Sequence, residues 1–297
     1  MKNIIDDLIA KIKETNNPTV MGLDPTMDYI PNFIKEGKNS CDAIVEFNKA
    51  LIDSVCDIIP AVKPNLAFYE VFGSQGIEAF IKTCEYANSK GMIVIADGKR
   101  NDIGSTASAY AKAYFGNNYN VDLLTINPYL GEDGIKPFLD VSQNAEYKNG
   151  VFALVKTSNK SSGQLQDLKL ENGKTVYEEV ANLVNTLNQE TIGENGYGII
   201  GAVVGATYPT QLAELRKIMP SSYILIPGYG AQGGTAKDIA FGFNEDKLGA
   251  IVNSSRGLMC AYKSEMWKDK YSEETFAQAT RAEAIHMRDA INEALNS

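Results

Sequence analysis

Residues 92–102 read Met92-Ile93-Val94-Ile95-Ala96-Asp97-Gly98-Lys99-Arg100-Asn101-Asp102. Five apolar residues in succession give way at once to four charged ones. A continuous apolar run, rather than an alternating one, predicts a strand buried on both faces, as in a parallel sheet. Seven more runs of this kind lie at 19–23, 61–63, 123–126, 151–155, 199–204, 223–226 and 250–252. Between them come amphipathic stretches such as 42–57, 76–89 and 211–218. Eight strand-then-helix units predict a (β/α)8 TIM barrel, one domain over residues 1–297. The alternative is a doubly wound open sheet. No G-x-G-x-x-G opens a helix after the first strand, which weighs against it.

Composition narrows the function. The net charge of −9 argues against a nucleic-acid partner, so an anionic ligand would need positive charge gathered in one place. Ile4, Ile5, Leu8, Ile9 and Ile12 recur at helical spacing, and Asp6 and Asp7 interrupt what would be a signal peptide's apolar core. No apolar stretch is long enough to span a bilayer, so no membrane partner is expected. The four cysteines form no C-x-x-C pair, and a reducing cytoplasm is the expected compartment. The single histidine, His286, sits in a late helical stretch. That disfavours Ser-His-Asp triads and histidine zinc sites, leaving carboxylates, amines, hydroxyls and backbone amides.

One segment breaks the rhythm. Residues 159–198 begin polar and rich in Gly and Ser, then turn helical at 176–188. An extended loop after strand five is expected, as an active-site lid or as a surface insertion.

In a TIM barrel the chemistry sits where strands end. Strand one delivers Asp24, which also suits a helix cap or turn. Strand two ends in Lys63, whose charge must face the barrel mouth or solvent. Strand three delivers Asp97, with Lys99 two residues on, so an extended chain points both the same way. Asp102 follows. A Lys63-Asp97-Lys99-Asp102 network would fix protonation states and orient a cationic acid; the alternative is a solvated loop with a surface ion pair. Strand five ends in Thr157, Ser158 and Asn159, which suit either the polar edge of a ring or a capped turn. Gly-rich residues 227–234 follow strand seven and Asn253-Ser254-Ser255-Arg256-Gly257 follow strand eight. Paired loops there are the usual phosphate site of such barrels, with backbone N–H groups, a helix N-terminus and a bidentate Arg256 as donors.

Together GLDP (22–25), VKPN (62–65), DGKRNDIGSTA (97–107), KTSN (156–159), PGYGAQGG (227–234) and NSSRG (253–257), each after a predicted strand, resemble the orotidine 5'-phosphate decarboxylase family, in its longer bacterial branch. The resemblance spans nearly the whole chain. It implies decarboxylation of orotidine 5'-monophosphate (OMP) to UMP, the last step of pyrimidine nucleotide synthesis, with no cofactor and no metal. Lys99 would protonate C6 of the pyrimidine, and Asp97 would lie against the departing carboxylate and help hold Lys99. Lys63 would complete the network and touch the ribose. Asp102 and Thr106 would reach a partner subunit's site in a homodimer with shared active sites. Asp24 would bind ribose hydroxyls, Ser158 and Thr157 the pyrimidine, and Gln232 and Arg256 the 5'-phosphate. Ser255 stands before Arg256 where short members often carry glycine.

Loss of CO2 leaves a carbanion with no evident electron sink, so stabilisation would be electrostatic: an ammonium beside the developing charge in a dry site. Two rivals are a metal-dependent sugar-phosphate enzyme of the same superfamily, such as 3-hexulose-6-phosphate synthase, and a non-catalytic nucleotide-binding barrel. In the former the strand-two position is typically a carboxylate that helps bind Mg2+; here it is Lys63.

Overall fold

A computed structural model of the chain describes residues 2–116, 118–143, 149–230 and 233–297. Among them eight strands form: β1 Thr19–Leu23, β2 Ala61–Pro64, β3 Ile93–Arg100, β4 Leu123–Ile126, β5 Gly150–Lys156, β6 Ile200–Val204, β7 Ile224–Ile226 and β8 Ala250–Ser254. Each pairs in parallel with the next, and β8 closes on β1 through Val20↔Asn253. That closure excludes the open sheet. The runs chosen for apolar continuity are buried on both faces, as a barrel wrapped in helices requires.

Several strands run further than their apolar residues, β5 ending in Lys156 for one. β3 continues through Arg100, which pairs with Ile126, and β8 continues through Asn253 and Ser254. The polar residues at these ends are therefore part of the barrel wall. Hydrophobicity alone cannot reveal such an extension, because pairing continues where burial is shared with a polar cavity.

The outer layer includes the helices Ser40–Val55, Gly73–Ser89, Gly104–Phe115, Lys136–Gln143, Val176–Asn188, Pro209–Ile218 and Phe276–Asn296. The helix Ile4–Thr15 lies at the strand-start end of the barrel. Asn3 and Asp6 make its capping box, and Asn3 Nδ2 donates to the carbonyls of Thr191 and Tyr197. Asp6 accepts from the backbone N–H groups of Glu194 and Asn195, at 3.0 and 2.8 Å. Ile4 packs so close to the start of β5 that a Cβ on Gly150 would stand 3.2 Å from its Cγ2 and 2.6 Å from the Ile199 carbonyl oxygen. The active end is thus left to the opposite face.

The 159–198 stretch divides in two. Val176–Asn188, capped by Thr175 and Glu178, is the barrel's own crossover helix between β5 and β6. The extra material is the segment before it, which holds a single turn at Ser162–Gln164 and a bridge between Lys169 and Thr175. The four cysteines are unpaired, and His286 lies on Phe276–Asn296. Among the described residues no helix is long and apolar enough to cross a membrane.

Candidate active site

The strand ends open on one cavity of about 890 Å³, within the usual range for a small-molecule site. Lys63 stands at the end of β2 and Asp97 within β3. Lys63 Nζ donates to Asp97 Oδ2 at 2.7 Å, and Lys99 Nζ donates to Asp97 Oδ1 at 2.6 Å. The side chains of Lys63 and Asp97 are only 6% and 9% exposed, whereas that of Lys99 is 50% exposed. One carboxylate is therefore clamped between two ammonium groups, one buried and one at the cavity.

The backbone achieves this in a way that strand periodicity did not foresee. Five residues of β3, from Ala96 to Arg100, lie against three of β4, from Leu124 to Ile126. The surplus forms a bulge, a device that re-aims side chains. Within it Lys99 adopts φ +46°, a left-handed conformation that costs a non-glycine residue about 1–2 kcal/mol. Lys99 thus reaches Asp97 through a kink, not by lying on the same face of an extended strand. Thr125 of β4 holds the kink. Its hydroxyl accepts from the Lys99 backbone N–H at 3.0 Å and donates to Asp97 Oδ1 at 2.9 Å.

Electrostatics keep the buried Lys63–Asp97 pair ionised. Burial would raise the pKa of Asp97, but Lys63 and Lys99 overcome it and hold the carboxyl well below its ordinary value. Burial would discharge Lys63, yet the charges of Asp97 and Asp24 outweigh it and keep the ammonium's pKa above the ordinary one. Asp24 faces the same cavity, and its Oδ1 is buried with no hydrogen-bond partner among the described residues.

Thr157, Ser158 and Arg256 line the cavity too. Arg256 is exposed at its mouth and, among the described residues, has no carboxylate partner. The helix that follows β8 is only Arg256–Met259, so it brings little dipole to that end of the cavity. Ser255 turns its side chain to β1: a Cβ on Gly22 would fall 1.9 Å from its Oγ. Gly22 and Ser255 are thus a matched pair, and Asn253 Nδ2 donates to the same Oγ at 3.3 Å. Gln232 lies outside the described residues.

Asp102 and Thr106 do not join this cavity. Asp102 is half-buried and caps its own turn by accepting from the Ile103 N–H at 2.9 Å, and Thr106 is exposed on Gly104–Phe115. Within one chain the expected four-charge network is a three-charge one. Thr125, Tyr29 and Gln166, which the sequence does not single out, also line the cavity, as do Tyr229 and Asn253 of the two loops after β7 and β8, to which no separate role is given. Thr125 carried a signal, being the one polar residue in the buried run LLTI; Gln166, inside a polar loop, carried none.

A sequence-family model described as "Orotidine 5'-phosphate decarboxylase / HUMPS family" matches residues 19–266. The chain belongs to this family. An orotidine 5'-phosphate decarboxylase of Rhodopirellula baltica is 43% identical over 303 residues, covering 98% of this chain and 99% of that one. One from Clostridium perfringens is 43% identical over 293 residues, with the same coverage. The structure of the Leishmania donovani OMP decarboxylase superposes with a TM-score of 0.78 at 30% identity over 100% of both chains. All three relatives are decarboxylases by name. At the end of β2 the Lys63 ammonium is bonded to the Asp97 carboxylate.

Proposed function

We propose that this chain decarboxylates OMP to UMP with its own side chains as the only catalytic groups. The observation that carries the proposal is the Lys63–Asp97–Lys99 array, with contacts of 2.7 and 2.6 Å, facing the same cavity as Arg256. The 5'-phosphate binds Arg256, Gln232 and the glycine-rich loop after β7. Asp24, through its unpartnered oxygen, and Lys63 take ribose hydroxyls, and Ser158 with Thr157 takes the polar edge of the pyrimidine. The substrate carboxylate then lies beside Asp97. The C6–carboxylate bond breaks, CO2 departs, and the electron pair stays on C6 next to the Lys99 ammonium. Lys99 gives its proton to C6 and recovers one from solvent, to which its half-exposed side chain has access.

A second copy completes the site. Asp102 and Thr106 do not line their own cavity, and near them lie the exposed apolar residues Ile103, Tyr129 and Leu130, which are 51%, 73% and 42% exposed. A Cβ on Gly134 would stand 3.3 Å from Leu130 Cβ and 3.5 Å from the Asp102 backbone carbonyl oxygen, so the two residues are neighbours in space. A homodimer buries this face and brings Asp102 to the partner's Lys99 region. Unpaired cysteines suit a cytoplasmic enzyme of nucleotide synthesis.

The direct test follows the loss of OMP absorbance with purified protein, with and without EDTA. Turnover that persists in EDTA supports the proposal; no turnover, or strict dependence on Mg2+, overturns it. Sharing of sites is tested by mixing Lys99→Ala with Asp102→Ala. Shared sites restore about a quarter of wild-type activity in a re-equilibrated equal mixture, since half the dimers are mixed and each holds one intact site. No restoration refutes sharing.

A further inference from the structure

Lys156, at the end of β5, has a side chain that is fully buried yet takes no part in the chemistry above. Leu154, two residues earlier, faces the cavity, and in a regular strand Lys156 would face it too. The pairing of β5 with β6 slips between them: Leu154 pairs with Val203 and Lys156 with Val204. This bulge turns Lys156 out of the cavity and under the segment that follows β5. There Nζ donates to Asp167 Oδ1 at 2.6 Å and to Ser162 Oγ at 3.3 Å. It also lies 4.7 Å from the ring centre of Tyr208 and 5.5 Å from that of Tyr177, within cation–π range. Gly163 leaves the room Asp167 needs, since a Cβ there would come within 2.7 Å of its carboxylate.

Gln166, next to Asp167, faces the cavity. Its Oε1 accepts from the Thr157 backbone N–H at 3.0 Å, and its Nε2 donates to Thr157 Oγ1 at 2.8 Å. Its own carbonyl accepts from the Tyr177 N–H. On the other side, Gly205 lets Ser158 approach so closely that a Cβ would meet Ser158 Cβ at 2.8 Å. The Thr157–Ser158 turn is therefore held from both sides.

We propose that Lys156 latches the post-β5 segment over the barrel mouth so that Gln166 fixes the Thr157–Ser158 turn, making Lys156 and Gln166 positioning residues for recognition of the pyrimidine base. This rests on the function proposed above, because it assumes that Ser158 and Thr157 read the base. The latch acts on the base end of the ligand only; Arg256 and the β7–β8 loops are separate elements.

The test compares UMP with ribose 5-phosphate, which lacks the base, as competitive inhibitors of OMP turnover and in direct calorimetric binding. Gln166→Leu should weaken UMP about tenfold, the scale of losing well-placed hydrogen bonds, and raise the KM for OMP similarly. Ribose 5-phosphate affinity should stay within about twofold, as no contact to it is altered. Lys156→Met should show the same selectivity together with faster tryptic cleavage at Lys160 and Lys169, and Lys156→Arg should restore both. Equal weakening of both probes, or none, overturns the proposal. If Lys156→Met does not fold, Gln166→Leu decides alone. If the unaltered enzyme neither turns over OMP nor binds UMP, the assigned function fails instead; the latch then stands or falls on whether Lys156→Met speeds the tryptic cleavage.

Discussion

Thr125→Val is the change that best separates a placed proton donor from one that merely lies nearby. Valine keeps the shape of threonine and removes one hydroxyl from a residue only 1% exposed. Two hydrogen bonds disappear: a neutral one from the Lys99 N–H and a charge-assisted one to Asp97 Oδ1. At about 0.5–1.5 kcal/mol for the first and about 1.5–3 kcal/mol for the second, their sum bounds the loss near 4.5 kcal/mol. Asp97 Oδ1 keeps its 2.6 Å bond from Lys99 Nζ, which cushions the loss. We expect a fall in unfolding free energy of about 2 kcal/mol, measured by urea titration with unchanged m-value. The effect on turnover has a different origin. The left-handed backbone at Lys99 is held against a cost of about 1–2 kcal/mol, and the bond to Thr125 is what anchors its N–H. Once released, Lys99 relaxes and its ammonium leaves the position facing C6. We expect kcat to fall about tenfold or more while UMP affinity changes less than about threefold. A variant with wild-type stability and kcat within about twofold would refute the role given to the bulge.

Lys99→Ala should abolish turnover and leave UMP binding largely intact by calorimetry, since the donor is lost but the phosphate contacts remain. Arg256→Ala should raise KM and lower kcat/KM by about a hundredfold, the scale of a charge-assisted phosphate contact. For Asp97 the folded-state pKa lies below the ordinary 3.8, so its stabilisation is complete above that pH and fades as the pH falls through the lower folded value. Asp97→Asn should therefore be less stable at neutral pH and show a flatter loss of stability below about pH 4. Asp122 behaves in the opposite sense. Burial, opposed by the Val94 N–H and reinforced by Asp7, pushes its pKa up to about 6, so stability falls as the pH rises from about 4 to about 6. Asp122→Asn should remove that penalty and stabilise the protein at pH 7 by about 1–3 kcal/mol in thermal or urea melts.

The barrel was legible because its signal is redundant. Each strand is a short run that is apolar on both faces, and only a wrapped parallel sheet buries eight such runs. Lys63, Asp97 and Lys99 were legible for a related reason, since charges that abut a buried strand have few places to go. What stayed hidden is geometry that departs from periodicity. A period of two places Asp97 and Lys99 on one face and turns Lys156 toward the cavity; bulges in β3 and β5 change both outcomes. Bulges depend on the register of the neighbouring strand, which no single segment encodes. Gln166 stayed hidden because its partner, Thr157, is nine residues away across an irregular loop.

The two ends of the cavity are built in contrasting ways, and the contrast fits the division of labour that decarboxylation demands. At the reacting end Asp97 accepts from Lys63, Lys99 and Thr125, so its position and charge are fixed before any substrate arrives. At the end where the proposed function seats the phosphate, Arg256 is exposed, and the loop after β7 has Gly228, Gly230 and Gly233 at positive φ. A preorganised reacting end costs no reorganisation as charge develops on C6, which is where electrostatic catalysis gains most. A phosphate end that gains its partners only on binding lets remote binding energy close the site and expel water around that charge. On the proposed function, against an overall charge of −9, Arg256 at this mouth would draw the phosphate to that end of the cavity, and binding there would set which way the pyrimidine enters.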